Sequence, residues 1–396
     1  MVRINWKGLK AIVESLNYTF LVFSASALYL LYEMAIKGFI GIDISTILGF
    51  VALIVAVYSI QSTTRPLKEI QTDYWNARGI DQLNKKNYHD ALQAYEKAIS
   101  TNPQSIKCLV NKANALLEQG NHDVALDAVD KAINRGPNYP ATLRKETSEE
   151  AKAFQEYANA WKTRSDILYR KDETLRTMPG RGPVLRNQAL EASIKAIDLY
   201  PEGNPELPGA WVSRGNALLS LNKYDDAIDA YGEAIRLDPN AWRALCMRGI
   251  ALIEKGKSSE NVDVPPEMVI NTYEASIKTF DKAIELKPDS AIIWYSKGNA
   301  LMTQGRCLQS HAEDLKGQDK YRLAIHAYDK ATEFKPLHLG AWNNRGRCYE
   351  ALTEYDKAIA SYDKAIEINP QDPDVQRNRT NAIEKQSSTS QTNQSR

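Results

Sequence analysis

Five histidines, four cysteines and one glycine-rich hexapeptide are the first places to look for a catalyst or a metal centre in this 396-residue chain. His89, His122, His311, His326 and His338 show no HExxH or other ligand spacing, and Cys108, Cys246, Cys307 and Cys348 form no CxxC and imply no disulfide framework. Within Met178-Pro-Gly-Arg-Gly-Pro183, the Gly-Arg-Gly lacks the Lys-Ser/Thr of a phosphate loop, and no GxSxG nucleophile elbow occurs. The chain therefore reads as non-catalytic, without metal, cofactor or small-molecule substrate. A net charge of +1 gives no electrostatic case for nucleic acid. What recurs at fixed spacing is a different chemistry, that of amides and bases suited to hydrogen bonding and ion pairing.

The spacing comes from a repeat. Pro103, Pro137, Pro201, Pro239, Pro288, Pro336 and Pro370 each follow an alanine (Ala98, Ala132, Ala196, Ala234, Ala283, Ala331, Ala365) by five residues. With each proline at position 32, position 4 reads Trp75, Leu109, Trp161, Trp211, Leu245, Trp294, Trp342, and position 8 reads Gly79, Ala113, Ser165, Gly215, Gly249, Gly298, Gly346. Position 20 is Ala91, Ala125, Ala189, Ala227, Ser276, Ala324, Ala358, and position 24 is Tyr95, Val129, Ser193, Tyr231, Phe280, Tyr328, Tyr362. Small residues at 8 and 20 let two helices cross closely, large residues at 4 and 24 fill the interior, and the proline ends the second helix by removing a donor. Asn87–Asp90 and Asn222–Asp226 supply the turns between first (A) and second (B) helices.

This pattern resembles the tetratricopeptide repeat (TPR) family over about residues 72–372, most clearly in Ala341–Pro370 and Ala210–Pro239. The resemblance implies an all-α fold, a TPR α-solenoid: a right-handed superhelix of helical hairpins. The expected repeats are 72–105, 106–139, 158–203, 208–241, 242–290, 291–338 and 339–372, followed by a capping helix over 373–386 and a disordered tail over 387–396. Repeats 3, 5 and 6 carry insertions of 12, 15 and 14 residues between A and B, either tolerated loop growth or an auxiliary docking edge, and the third has the charge spacing of a lengthened hairpin. Pro140–Tyr157 precedes repeat 3, where the capping box Thr147-Ser-Glu-Glu150 predicts a helix from near Ser148 to about Arg176.

Residues 1–61 have another composition. Segments 17–36 and 44–60 are apolar, the second without a charge, and Lys37–Asp43 separates them, so a two-helix transmembrane hairpin is expected there. Arg3, Lys7, Lys10, Arg65 and Lys68 flank it, which places the chain in the cell membrane with two spans and cytoplasmic repeats. Residues 62–71 form the junction, with Thr64 as a cap before Arg65–Pro66.

In TPR arrays, the resemblance implies, positions 2, 5, 6 and 9 of the A helices point into a concave groove. Here those positions include Asn76, Lys107, Asn111, Asn114, Asn159, Lys162, Asn216, Arg243, Tyr295, Asn299, Asn343, Asn344 and Arg347. Asparagines both donate and accept, which suits the backbone of an extended peptide, and the bases favour an acidic segment or a C-terminal carboxylate. The carboxylate clamp of some TPR domains is incomplete: Asn299 and Asn344 are present, but Tyr295 stands where it needs lysine, and the third element offers Asp374 and Asn378. Position 7 is always basic (Arg78, Lys112, Arg164, Arg214, Arg248, Lys297, Arg345), and five repeats carry an acid at position 25 (Glu96, Asp130, Asp281, Asp329, Asp363). Paired rungs and a basic strip for an anionic partner are both open readings. The expected function is a membrane-anchored scaffold that binds protein segments without turnover. The alternatives are an accessory for assembly or export of client proteins at the membrane, and a hairpin that forms part of a channel.

Overall fold

The computed structural model describes residues 67–136, 148–174, 182–260 and 264–394. The chain divides into two compact units, Met1–Trp75 and Asn76–Arg396. Described residues of the first are 67–75, the opening turns of helix α1 (67–84).

The second unit continues with α2 (Tyr88–Thr101), α3 (Ile106–Glu118), α4 (His122–Ile133), α5 (Ser148–Thr174), α6 (Gly182–Leu199), α7 (Leu207–Ser220) and α8 (Tyr224–Leu237). It is completed by α9 (Trp242–Ser259), α10 (Pro266–Leu286), α11 (Ala291–Ser310), α12 (Asp314–Phe334), α13 (Leu339–Ala351), α14 (Tyr355–Ile368) and α15 (Pro373–Gln394). No strand occurs among the described residues. Consecutive helices pack as antiparallel hairpins, and the A helices of successive hairpins (α3, α5, α7, α9, α11, α13, then α15) also touch one another, forming a continuous layer.

The punctuation is local chemistry. The residue before five of the seven prolines, Asn102, Asp238, Lys287, Lys335 and Asn369, has left helical geometry, and its N–H donates to the position-27 alanine carbonyl. At the A-to-B turns one residue takes the left-handed conformation: Lys86, Gly120, Asn222, Ala312 and Thr353, with φ between 59° and 80°. Each is followed by an N–H that reaches back five residues, as from Glu354 to the Tyr349 carbonyl at 2.9 Å, which closes the A helix.

Inside each hairpin, position 8 meets position 24. A Cβ on Gly215, Gly249, Gly298 or Gly346 would lie 2.5–2.6 Å from the ring of Tyr231, Phe280, Tyr328 or Tyr362, all fully buried; Gly79 faces Tyr95 in the same way. Where position 8 is larger, position 24 is smaller, Ala113 with Val129 and Ser165 with Ser193. The tryptophans at position 4 differ from expectation. Trp161, Trp211, Trp294 and Trp342 are half-buried rather than core, because their indoles serve as platforms under the position-7 cations. Trp294 and Trp342 also donate to the carbonyls of Pro288 and Pro336 at 2.8 Å.

The described parts of the insertions are largely helical. In repeats 5 and 6 they extend both arms to 18–21 residues, against 12–14 in the short hairpins of repeats 2, 4 and 7. The interlock recurs one heptad outward: Gly256 lies under Tyr273 and Gly305 under Tyr321. In repeat 3 the equivalent pair is ionic, with Arg186 Nε donating to Asp172 Oδ2 at 2.8 Å and Asp172 only 2 % exposed. Helix α15 runs to Gln394, through the tail expected to be disordered, so the cap is longer than 373–386.

The location read from the sequence is corrected. Among the described residues no helix is long and apolar enough to cross a membrane, because charged and polar residues interrupt every long helix. Segments 17–36 and 44–60, on which a two-span membrane placement with cytoplasmic repeats rested, lie outside the described residues, as does the cap at Thr64.

Candidate functional site

The polar row on the A helices is tied together from hairpin to hairpin. Position 5 of one repeat accepts from position 6 of the next: Asn111 Nδ2 donates to Asn76 Oδ1 at 2.8 Å, and Asn378 Nδ2 to Asn343 Oδ1 at 3.0 Å. Asn344 Nδ2 reaches Tyr295 Oη at 3.4 Å in the same register and Asn299 Oδ1 at 2.9 Å. Position 9 is tied within its own hairpin, since the buried Tyr231 and Tyr328 hydroxyls donate to Asn216 and Asn299 Oδ1 at 2.8 Å. Burial holds both phenols well above their ordinary pKa, so they remain neutral donors. Tyr200 donates likewise to Asn159. Five amide oxygens of the row, those of Asn76, Asn159, Asn216, Asn299 and Asn343, are therefore committed to the protein, and Asn76 is itself buried.

Asn114 differs for a visible reason. The residue opposite it at position 24 is Val129, which has no hydroxyl, and Asn114 is half-buried with no hydrogen-bond partner among the described residues. Lys162 is not a free cation: its Nζ lies 3.4 Å from Asp166 Oδ2, and that carboxylate is the main cause of its raised pKa. Arg243 and Arg347 are exposed, the first over the Trp242 ring at 4.9 Å, the second 3.5 Å from Asn344 Oδ1. Tyr295 packs against His338, ring centroids 4.5 Å apart.

On the other edge, each position-25 acid pairs with the position-7 base of the following repeat: Glu96 with Lys112 (3.1 Å), Asp130 with Arg164 (2.8 Å), Asp281 with Lys297 (2.5 Å) and Asp329 with Arg345 (3.2 Å). Asp363 continues the series onto Arg379 of α15 at 2.5 Å. These half-exposed pairs fix register more than they add stability, about 0–1 kcal/mol each. Their cross-repeat direction was not read from the sequence, although the recurrence of base at 7 one repeat after acid at 25 carried it.

No group of three or more potential metal ligands occurs among the described residues. All four cysteines are free and buried, and desolvation pushes Cys246 up to about 11 and Cys348 to about 12, which leaves these thiols protonated and unreactive.

Models described as tetratricopeptide repeat match residues 83–144, 208–241 and 310–373, and one described as TPR repeat matches 270–305. An Hsp70-Hsp90 organizing protein of Triticum aestivum is 26 % identical over 243 residues, 54 % of this chain and 40 % of the relative. Hsp70-Hsp90 organizing protein 2 of Arabidopsis thaliana is 26 % identical over the same length, 54 % and 41 %. The chain thus spans about two fifths of these relatives. Among solved structures, a tetratricopeptide repeat protein of Parabacteroides merdae aligns with TM-score 0.47 at 15 % identity, covering 79 % of this chain and 99 % of that one. A thermophilic TPR protein of Thermus thermophilus aligns with TM-score 0.40 at 17 % identity, covering 55 % and 98 %. Tetratricopeptide repeats are thus found in four stretches of the chain, and the hairpins there are closed by position-32 prolines or interlocked at positions 8 and 24.

Proposed function

We propose that the chain is a non-catalytic scaffold that holds extended segments of other proteins along its A-helix row. The observation that carries this reading is the amide ladder. Its side chains are held by hydrogen bonds before any partner arrives, so less rotamer entropy is lost on binding than a free row of asparagines would lose. With most amide oxygens committed internally, the row offers chiefly N–H donors, plus the open amide of Asn114 and the exposed guanidiniums of Arg243 and Arg347. That chemistry suits backbone carbonyls and carboxylates, hence an acidic or C-terminal segment.

The relatives' names speak of organizing Hsp70 and Hsp90. Support for carrying that partner over is thin at the clamp positions: Asn299 and Asn344 bond to one another, Tyr295 supplies a phenol in place of an ammonium, and Asp374 pairs with Arg377. The proposal is therefore a segment binder of different specificity.

The test is photo-crosslinking with the full chain, with a crosslinker at Asn114 or Asn343 and, as control, at the exposed Glu285 on α10. Partners should be captured from the two A-helix sites, and Asn299→Ala/Asn343→Ala/Asn344→Ala should reduce capture at position 114 and abolish binding at the C-terminal end. Equal capture at all three sites, untouched by the triple substitution, would defeat the reading.

A further inference from the structure

The ion-pair rungs that join five repeat boundaries are missing at two, and the two are adjacent. Position 25 is Ile194 in repeat 3 and Gly232 in repeat 4, so Arg214 and Arg248, the position-7 bases that follow, meet no acid there. Among the described residues neither arginine has an ion pair or hydrogen bond, and the Nε of each is buried without a partner. Arg345 shows what this geometry does when the acid is present. Its Nε is equally buried and unpartnered, its guanidinium lies over Trp342 at 4.8 Å, and its Nη1 takes Asp329 end-on at 3.2 Å. Arg214 has the same platform, 5.1 Å over Trp211, without the acid.

The missing side chain leaves space. A Cβ on Gly232 would meet nothing within 4 Å, and a recess of about 600 Å³ opens there with both Arg214 and Arg248 on its wall. The same recess carries Asp226 and Asp229 from α8; Glu233, also on it, is held by Arg236 at 2.8 Å. A free phosphate or a nucleic-acid backbone would be repelled by Asp226 and Asp229. A peptide side chain that brings a carboxylate next to an ammonium satisfies both walls.

We infer that the recess at Gly232 is a second docking site, distinct from the A-helix row, where a partner protein's segment inserts a carboxylate between Arg214 and Arg248 and a neighbouring basic side chain toward Asp226 and Asp229. The partner completes from outside the rungs that the chain itself completes at its other boundaries. End-on pairing to two guanidiniums fixes the carboxylate's place, and the acidic wall rejects segments of uniform negative charge.

Fluorescence anisotropy on the full chain, with a labelled eight-residue alternating Glu-Lys peptide, tests this against octaglutamate, octalysine and inorganic phosphate. The Glu-Lys peptide is expected to bind saturably and at least tenfold tighter than octaglutamate or octalysine. Gly232→Asp, which supplies the missing acid, and Arg214→Gln/Arg248→Gln should each weaken it at least tenfold. Lys297→Gln, which breaks an existing rung, and Asn299→Ala/Asn344→Ala, which disturb the A-helix row, should leave it within twofold. Circular dichroism guards against misfolding, and Ile194→Asp, which supplies the acid opposite Arg214, is the second variant should Gly232→Asp unfold. Absence of saturable binding up to millimolar peptide, binding indifferent to both Gly232→Asp and the double arginine variant, or displacement by phosphate as effective as by the peptide would overturn the inference.

Discussion

The extended hairpin of repeat 6 and that of repeat 3 solve one problem in opposite ways. Both lengthen their arms beyond the basic repeat, and both must fill the space between the added turns. Repeat 6 repeats the apolar interlock one heptad out, Gly305 beneath Tyr321, and the tyrosine hydroxyl finds Gln309 at 3.0 Å. Repeat 3 places a carboxylate and a guanidinium there, with Asp172 buried and Arg186 a quarter exposed. The first filling is tolerant, since each ring has apolar walls whatever its neighbours do. The second is conditional, because a buried charge depends on one partner.

The largest effect should come from breaking that partner. Arg186→Ala strands the Asp172 carboxylate, and a loss of about 3–5 kcal/mol is expected for the cooperative unit containing repeat 3. Chemical denaturation would then show repeats 3 and 4 melting before repeats 5 to 7, since a stack of repeats couples only neighbours. Converting repeat 3 to the other solution, Asp172→Gly with Arg186→Tyr, should recover most of the loss. A double variant no better than Arg186→Ala would mean the two fillings are not interchangeable.

The interlock itself can be swapped between repeats. Gly298→Ala drives a methyl to within 2.5 Å of the Tyr328 ring and should cost about 1–3 kcal/mol by overpacking. Repeat 2 already pairs Ala113 with Val129, so Gly298→Ala combined with Tyr328→Val should lose less than the sum of the single changes by about 1 kcal/mol or more. Strict additivity in that double-mutant cycle would show that positions 8 and 24 do not sense each other.

Turn geometry is common to short and extended hairpins, and it offers a stabilising test. Thr353 in short repeat 7 and Ala312 in extended repeat 6 both hold φ near 60°. A β-branched residue pays more for that conformation than alanine does. Glycine at position 353 should therefore add about 0.5–1 kcal/mol, more than glycine at position 312, after allowing for the entropy glycine gives the unfolded chain.

Much of this was legible because the period forces it. Proline after alanine at a fixed distance dictates where each B helix stops, and glycine at 8 against an aromatic at 24 is written in the residue types. The insertions were harder to read because, measured by length, they look like loops. Their signal was a second glycine seven residues after the first (Gly256, Gly305) and a second tyrosine seven before the aromatic (Tyr273, Tyr321). The asparagines resisted for a physical reason: an amide that can bind a ligand can equally bind a neighbour. Which it does depends on whether a hydroxyl stands opposite, as Tyr231 does for Asn216 and Val129 does not for Asn114. Tryptophan at position 4 misled in the same way, since its large area suggests core, whereas a cation over its face needs it half-exposed.

The smallest expected effect separates a charged junction from the neutral ones. His338 caps α13 by accepting from the Ala341 N–H at Nδ1, 3.2 Å away. Desolvation, and then Lys335, hold its pKa below the ordinary 6.5. In the folded state the ring stays neutral to lower pH than in the unfolded chain, so its contribution is intact above about pH 6.5 and declines as pH falls through the depressed folded value. Protonation also removes the lone pair that makes the cap. His122 is depressed as well, by desolvation and then Arg170, and acts in the same direction. His338→Asn keeps a capping acceptor but removes the titration, so stability between pH 7 and pH 5 should fall less steeply than in the parent, and His122→Gln should flatten the remainder. A slope unchanged by His338→Asn would place the acid sensitivity elsewhere and leave the repeat 6–7 junction no different from the others.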